Sequence, residues 1–241
     1  MKSGMKKYLV GIAAYNEGQK IRRTIQRFND YGLYDVLLLD DGSTDGSLEG
    51  IQKEFPVSII TNTRNRGAGF ATRQTINYAR EHGYETVIFV SGNDKDAPED
   101  VKKLTAAIEK GFDFVQGSRY LPGGAHGRMP FHRKIATHFI HPFFFSFLTG
   151  RKISDSTNGF RAVRVALCND PGINLNQEWL DQYELEPYLF FKALQLGYQV
   201  TEVPVTKIYP PKKEGYTKMK PFGGWWSILR PIVYLGLGIK K

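Results

Sequence analysis

The first half of the chain alternates short apolar runs with amphipathic stretches, and this alternation limits the possible folds more than any other feature. The runs Tyr8–Ala14, Val36–Leu39, Val57–Thr61, Val87–Val90 and Phe112–Gln116 have the length of strands. Between them, apolar residues recur every three to four positions: Ile21, Ile25 and Phe28, then Leu48–Phe55, then Ala68–Glu81, then Val101, Leu104 and Ile108. Strands alternating with helices at this spacing predict an α/β fold, a mostly parallel sheet with helices on both faces. With 241 residues, 41% of them hydrophobic and 24% charged, the chain can bury one sizeable core.

Ligands on such sheets bind beyond the carboxyl ends of the strands. That rule selects the loops Ala14–Gly18, Asp40–Gly46, Asn62–Gly69, Ser91–Pro98 and Gly117–Gly127, which are also the richest in Gly, Asp, Asn and Arg. Asp40 and Asp41 end the second apolar run, where carboxylates can accept hydrogen bonds from a ribose or a base N–H. A helix cap at Ser43 or Asp45 would explain the residues that follow. It does not explain two adjacent carboxylates at a buried strand end, which need partners there; a ligand is the favoured one.

The formal charge of +9 points to an anionic partner. Basic residues cluster at Lys212–Lys220 and Lys240-Lys241, next to aromatic and apolar segments, and no helix-turn-helix, zinc-finger or aromatic-sheet signature directs them to nucleic acid. The single cysteine, Cys168, permits neither an internal disulfide nor a cysteine-based metal cluster, so the chain reads as intracellular. The start lacks a signal-peptide layout, and no apolar run reaches the roughly 18–20 residues of a bilayer span. His138–Leu148 and Trp225–Ile239 are either buried helices or elements lying in a membrane interface, where Trp, Phe and basic residues favour the headgroup boundary. Pro210-Pro211 through Gly215 reads as a mobile loop. His126, His132, His138 and His141 lack the spacing of a helical zinc pair and read as solvent-facing or aromatic-packed.

Six segments in order resemble the inverting family-2 glycosyltransferases of the GT-A fold. Ala13-Ala-Tyr-Asn-Glu17 is similar to the family's P-A-Y-N-E, and Asp40–Gly46 matches D-D-G-S-T-D-G. Asn65-Arg-Gly-Ala-Gly69 is similar to N-x-G-x-G, Gly117-Ser-Arg-Tyr120 to G-S-R-Y, and Asp155–Arg161 to D-x-T-S-G-F-R. Glu202-Val-Pro-Val205 followed by Gly215–Met219 resembles the family's ending. The order and the last motifs resemble the branch that transfers sugars to polyprenyl or dolichol phosphate.

The resemblance implies roles. Ala13, Tyr15, Glu17, Asp40, Asp41 and Gly67 would bind the nucleotide of a nucleotide-sugar donor. Arg119, Arg133, Thr137 and Lys218 would receive an acceptor phosphate, for which arginine supplies paired, charge-assisted hydrogen bonds. Arg119, Arg133 and Asp94 would be the catalytic set. Mg²⁺ or Mn²⁺ would bridge the donor diphosphate, but the family's D-x-D positions fall here on Ser91 and Asn93. The metal ligands would then be Asn93, Asp94 and Asp96, with Asp96 also suited to cap the helix that starts at Pro98. Lys95 could replace part of the cation's charge.

The expected organisation is a GT-A domain over residues 1–220 and a C-terminal aromatic-basic segment over 221–241 that docks on a membrane. The protein would then be cytoplasmic and peripheral at the inner face of the cytoplasmic membrane. One alternative is transfer to a saccharide or lipid hydroxyl, with Glu184 or Asp155 as general base. Another is a non-catalytic module that binds nucleotide sugars or membranes. Independently of that choice, Glu184 and Glu186, alternating residues before the helix expected over Pro187–Leu196, would either touch the sugar or start that helix.

Overall fold

The computed structural model describes residues 6–31, 34–211 and 223–240. Four parallel strands form its first half: β1 (Lys6–Ala14), β2 (Asp35–Asp40), β3 (Ser58–Thr61) and β4 (Tyr84–Ser91). Side chains alternate across a strand, so Leu9, Leu37 and Val87 enter one core, while Val10, Leu38 and Ile88 enter the other. The second core is closed by α1 (Gln19–Tyr31) through Ile21, Ile25 and Phe28, and by α4 (Val101–Glu109) through Val101, Leu104 and Ile108. The first is closed by α3 (Ala68–Glu81) and α7 (Leu185–Gln195). Helices thus cover both faces, as the periodicity predicts.

The helix expected over Leu48–Phe55 shrinks to α2 (Ile51–Glu54). Gly46 and Gly50 hold left-handed φ values of 70° and 69°, and Pro56 follows, so both ends of the stretch leave helical geometry.

The sheet is also larger than the apolar runs suggest. Its order is β3-β2-β1-β4-β7-β5-β8, with β5 at Phe114–Ser118, β7 at Arg161–Arg164 and β8 at Val200–Pro204. Strand β7 runs antiparallel between β4 and β5. A second, two-stranded sheet pairs β6 (Ala125–Gly127) with β9 (Thr206–Ile208).

After β6 the chain forms α5 (Phe131–Ile135), a π-helical turn (Ala136–Ile140) and α6 (His141–Thr149). The last helix, α8 (Gly223–Gly236), contributes Ile232 and Leu235 to the core that holds Phe145 and α7. The inner face of the C-terminal segment is therefore built into the domain, while Trp226, Leu237 and Ile239 remain exposed. No helix among the described residues is long and apolar enough to cross a membrane. The basic run Lys212–Lys220 with Lys218, the Gly215–Met219 motif, most of the loop expected after Pro210 and the final Lys241 lie outside the described residues.

Candidate active site

The loops after β1 and β2 are stitched together. Asn16 N–H donates to Ser43 Oγ at 3.0 Å, Thr44 N–H donates to Asn16 Oδ1 at 2.7 Å, and Gly18 N–H donates to Asp45 at 3.0 Å. Ser43 and Asp45 therefore join two loops instead of capping a helix. Asp40 and Asp41 are both buried. Asp40 accepts from Ser43 N–H at 2.8 Å. Asp41 accepts from Asn62 Nδ2 at 2.8 Å, Arg66 N–H at 2.9 Å and Gly67 N–H at 2.7 Å. Much of the partner demand that pointed to a ligand is thus met by the protein's own backbone, and Asp41 clamps the Asn62–Gly67 loop.

Gly67, expected at the nucleotide, has a structural reason of its own. Its φ is 109°, and a Cβ there or at Gly69 would run into the backbone carbonyls of Asp181 and Leu180. Ala13, Tyr15 and Glu17 lie at the end of β1, beside the Asp40–Asp41 turn, and Glu17 pairs with Lys20 at 2.9 Å.

The loop after β4 crosses this region. Gly92 N–H donates to the Ala13 carbonyl at 2.8 Å, and a Cβ on Gly92 would sit 2.9 Å from that oxygen. Asp94, a left-handed non-glycine residue at φ 58°, turns its side chain away onto α1. There Arg23 Nε and Arg27 Nη1 each donate to its carboxylate at 2.8 Å. Asp96 is buried and pairs with Lys207 while accepting from Ser91 N–H at 3.1 Å. The short helix at Pro98 carries no side-chain cap, so Asp96 serves that ion pair and not the helix end.

These placements correct the expected metal set. Both carboxylates are taken by cations, and Ser91 and Asn93 offer only neutral oxygens. Asn93 Oδ1 is buried without a hydrogen-bond partner among the described residues. A hard divalent cation needs anionic oxygen ligands, and this donor set does not fit one. Lys95 instead lies buried in the loop, with its Nζ 4.6 Å from the centroid of the Tyr209 ring. Burial, then the nearby Lys207 and Arg133 charges, push its ammonium down to about 7.

Strand β9 connects the loop after β4 to the segment that follows β5. Ile208 N–H donates to the Lys95 carbonyl at 2.9 Å, and Tyr209 N–H donates to the Gly127 carbonyl at 3.0 Å. Tyr209 is buried and collects cations: Lys95 and Arg133 against its ring, the latter at 5.6 Å, and Arg119 Nη1 3.5 Å from its hydroxyl. Neither Lys207 nor Tyr209 is among the residues singled out from the sequence. The signal was present, since Val205, Lys207 and Tyr209 alternate inward with period two, and an inward lysine in that pattern demands a carboxylate.

Arg119 is turned into the protein, with 3% of its surface exposed. Its Nε and Nη2 donate to Asp155 at 2.6 and 2.8 Å, and Nη2 also donates to Thr157 Oγ1 at 2.7 Å. Burial pushes the Asp155 carboxyl up, but the Arg119 charge and its hydrogen bonds outweigh this and hold it below the usual range. Glu202, from the segment that resembles the family's ending, accepts the backbone N–H groups of Ser154 and Asp155 at 2.8 and 2.9 Å. Arg119 is therefore engaged with Asp155 and Thr157 inside the protein and does not present a free guanidinium, whereas Arg133 on α5 is half-buried. Thr137 is likewise engaged, with its hydroxyl 2.5 Å from that of Tyr120 and 2.8 Å from the Arg133 carbonyl.

The two expected bases of a hydroxyl-transfer reaction are also engaged, although Glu184 Oε2 has no hydrogen-bond partner among the described residues. Asp155 holds Arg119, and buried Glu184 holds Ser227 and Arg230 of α8. Glu186 faces Arg161 at 3.7 Å. The histidines act separately: His138 stacks on Tyr120, and His126 leans on the same ring. Buried His141 donates from Nε2 to the Ile228 carbonyl at 3.2 Å and accepts from Ser156 at 2.6 Å, a hidden link between α6 and α8 rather than a surface group. The side chain of His132 lies outside the description.

Beside Arg133 the surface changes character. Phe131, Phe139, Phe143 and Phe147 are all more than half exposed along α5–α6.

Comparison with known proteins identifies the family and the fold. The sequence profile of "Glycosyl transferase family 2" matches residues 9–170. Polyprenol monophosphomannose synthase of Mycolicibacterium smegmatis is 29% identical over 88% of this chain and 80% of its own length. Dolichyl-phosphate hexose transferase of Haloferax volcanii is 30% identical over 93% and 91%. Glucosyl-3-phosphoglycerate synthase from Mycobacterium tuberculosis, crystallised with Mn²⁺, UDP and glucosyl-3-phosphoglycerate, superposes with a TM-score of 0.68 at 17% identity, covering 100% of this chain and 82% of that one. The shared fold is GT-A.

Proposed function

From the premise that the chain belongs to glycosyl transferase family 2 and is a glycosyltransferase, we propose that it moves a sugar from a nucleotide donor to a polyprenyl phosphate, with inversion. Membership as an enzyme sets aside a purely binding role. The observation that carries the acceptor is the position of Arg133. It sits on α5, at the start of the α5–α6 stretch that exposes Phe131, Phe139, Phe143 and Phe147, and its guanidinium lies against the same Tyr209 ring as Lys95. A lipid tail lying along α5–α6 would present its phosphate at that point. The named relatives that act on polyprenol and dolichyl phosphates support the same choice.

The chemistry asks little of a base. A phosphate monoester with a second pKa of about 6 is mostly a dianion at neutral pH. One of its oxygens attacks the anomeric carbon as the bond from that carbon to the nucleoside diphosphate breaks, and the electron pair leaves with the diphosphate. Attack opposite the leaving group gives inversion. The protein's part is to position the two phosphates and balance their charge. Arg133 holds the acceptor phosphate, while Arg119, fixed by Asp155, sets the floor under it. The Ala13–Glu17 and Asp40–Gly46 loops shape the nucleoside pocket. The exposed phenylalanines and the end of α8 rest on the membrane surface.

Steady-state kinetics of Arg133→Gln test this reading. The acceptor KM should rise by about tenfold or more with the donor KM unchanged, and Arg133→Lys should recover part of the loss. An unchanged acceptor KM would remove Arg133 from the acceptor site.

A further inference from the structure

We infer that Lys95 takes the place of a divalent cation at the donor diphosphate, so that this chain binds its nucleotide without a metal ion; this rests on the nucleotide-pocket reading above. Four observations converge. The loop after β4 is pressed onto the end of β1 by the Gly92 N–H···O=C bond to Ala13, which puts residues 93–95 beside the Ala13–Glu17 loop. Within it, the left-handed turn at Asp94 is accompanied by ion pairs of that carboxylate with Arg23 and Arg27 on α1, while the next side chain, Lys95, is buried. Asp96, the other acidic group of the loop, is neutralised by Lys207. What the loop buries is then a neutral amide oxygen at Asn93 and an ammonium at Lys95, with Arg133 against the same Tyr209 ring.

A divalent cation placed here would lose the carboxylates it needs and meet positive charge. A nucleoside diphosphate meets the opposite situation. Burying an ammonium costs stability; Lys207 and Arg133 add to that cost, Glu17 and Asp96 offset part of it, and a polyanion offsets more when it binds. The cluster also makes chemical sense at the leaving group: as the sugar–diphosphate bond breaks, negative charge grows on the departing diphosphate, and fixed cations stabilise it. The same ring separates the two phosphates of the reaction, with Lys95 assigned to the leaving diphosphate and Arg133 to the incoming one.

The test is calorimetric binding of UDP and of GDP to the full chain, in excess EDTA and then with Mn²⁺ or Mg²⁺. For the nucleotide that binds, the Kd should change by less than about threefold between conditions. Lys95→Gln should weaken binding in EDTA by about tenfold or more, and Lys95→Arg should keep most of it. The double variant Asn93→Asp with Lys95→Gln should bind only when Mn²⁺ is added. Thermal unfolding of each variant shows that the fold persists. Binding by the wild-type chain that collapses in EDTA and returns with Mn²⁺ overturns the inference while leaving the nucleotide pocket intact. So does undiminished binding by Lys95→Gln in EDTA. Failure of both nucleotides to bind under any condition overturns the pocket reading and this inference together.

Discussion

Beyond β1 and β2, carboxylates face backbone amides; beyond β4, β5 and β9, cations gather around one tyrosine. On the first side Asp40, Asp41 and Asp45 accept from Ser43, Arg66, Gly67 and Gly18 N–H groups, so each acidic group holds a loop in shape. On the second side Arg119 is neutralised by Asp155 and Lys207 by Asp96, while Lys95 and Arg133 lie against Tyr209. The first arrangement fixes the loops through backbone amides without needing a counter-charge. The second pairs Arg119 and Lys207 with buried carboxylates and sets Lys95 and Arg133, the two cations proposed to meet the phosphates, against one aromatic ring.

That division can be broken most severely at the floor. Arg119→Ala should destabilise the protein by about 3–5 kcal/mol, because it strands a buried carboxylate. Replacing both partners, as in Arg119→Met with Asp155→Leu, should cost clearly less than the sum of the single changes. Urea denaturation of the three variants checks this; an Arg119→Ala chain as stable as wild type would show that the pair is not structural.

A comparable loss should follow from acid. Burial pushes His141 down to about 4, from an ordinary value of 6.5. The unfolded chain therefore binds a proton before the folded one does. The stabilisation is complete above about pH 6.5 and declines as pH falls toward 4, by about 3 kcal/mol in all. Denaturation midpoints across that range should fall for the wild type and fall less for His141→Gln, and parallel profiles would mean that His141 is not the titrating link to α8.

On the nucleotide side, Asp41→Asn should cost about 1–3 kcal/mol, since an amide cannot accept on both sides as the carboxylate does. Nucleotide binding should weaken with it as the Asn62–Gly67 clamp loosens. If stability drops but nucleotide affinity does not, the clamp and the pocket are independent. The smallest stability effect belongs to Arg133→Gln, within about 0.5 kcal/mol, because that side chain is only half-buried and rests against a ring whose centroid is 5.6 Å away.

The two sides also differ in how far they could be read from the sequence. The first half is local: Leu9/Val10, Leu37/Leu38 and Val87/Ile88 alternate between cores, and α1, α3 and α4 show their buried faces as periodic residues. The Asp40–Gly46 motif therefore falls where the strand rule puts it. What it does there was less visible, because Asp41's partners sit more than twenty residues away. The second half is assembled from distant pieces. Strand β7 is only Arg-Ala-Val-Arg, too short and polar-ended to announce a central strand. Lys207 meets Asp96 across 111 positions, and Glu184 meets Arg230 across 46, so neither pairing leaves a periodic trace. The outward turn of Asp94 depends on a left-handed backbone at a non-glycine residue, which composition does not signal.

The central claim is that the cations beside the phenylalanine face receive a lipid phosphate. The most direct measurement compares matched acceptors: polyprenyl phosphate and the free polyprenol of the same chain length, each incubated with a labelled nucleotide-sugar panel. The account predicts labelled lipid product and nucleoside diphosphate release from the phosphate acceptor, with none above background from the alcohol. Equal transfer to both acceptors, or transfer only to the alcohol, would contradict it.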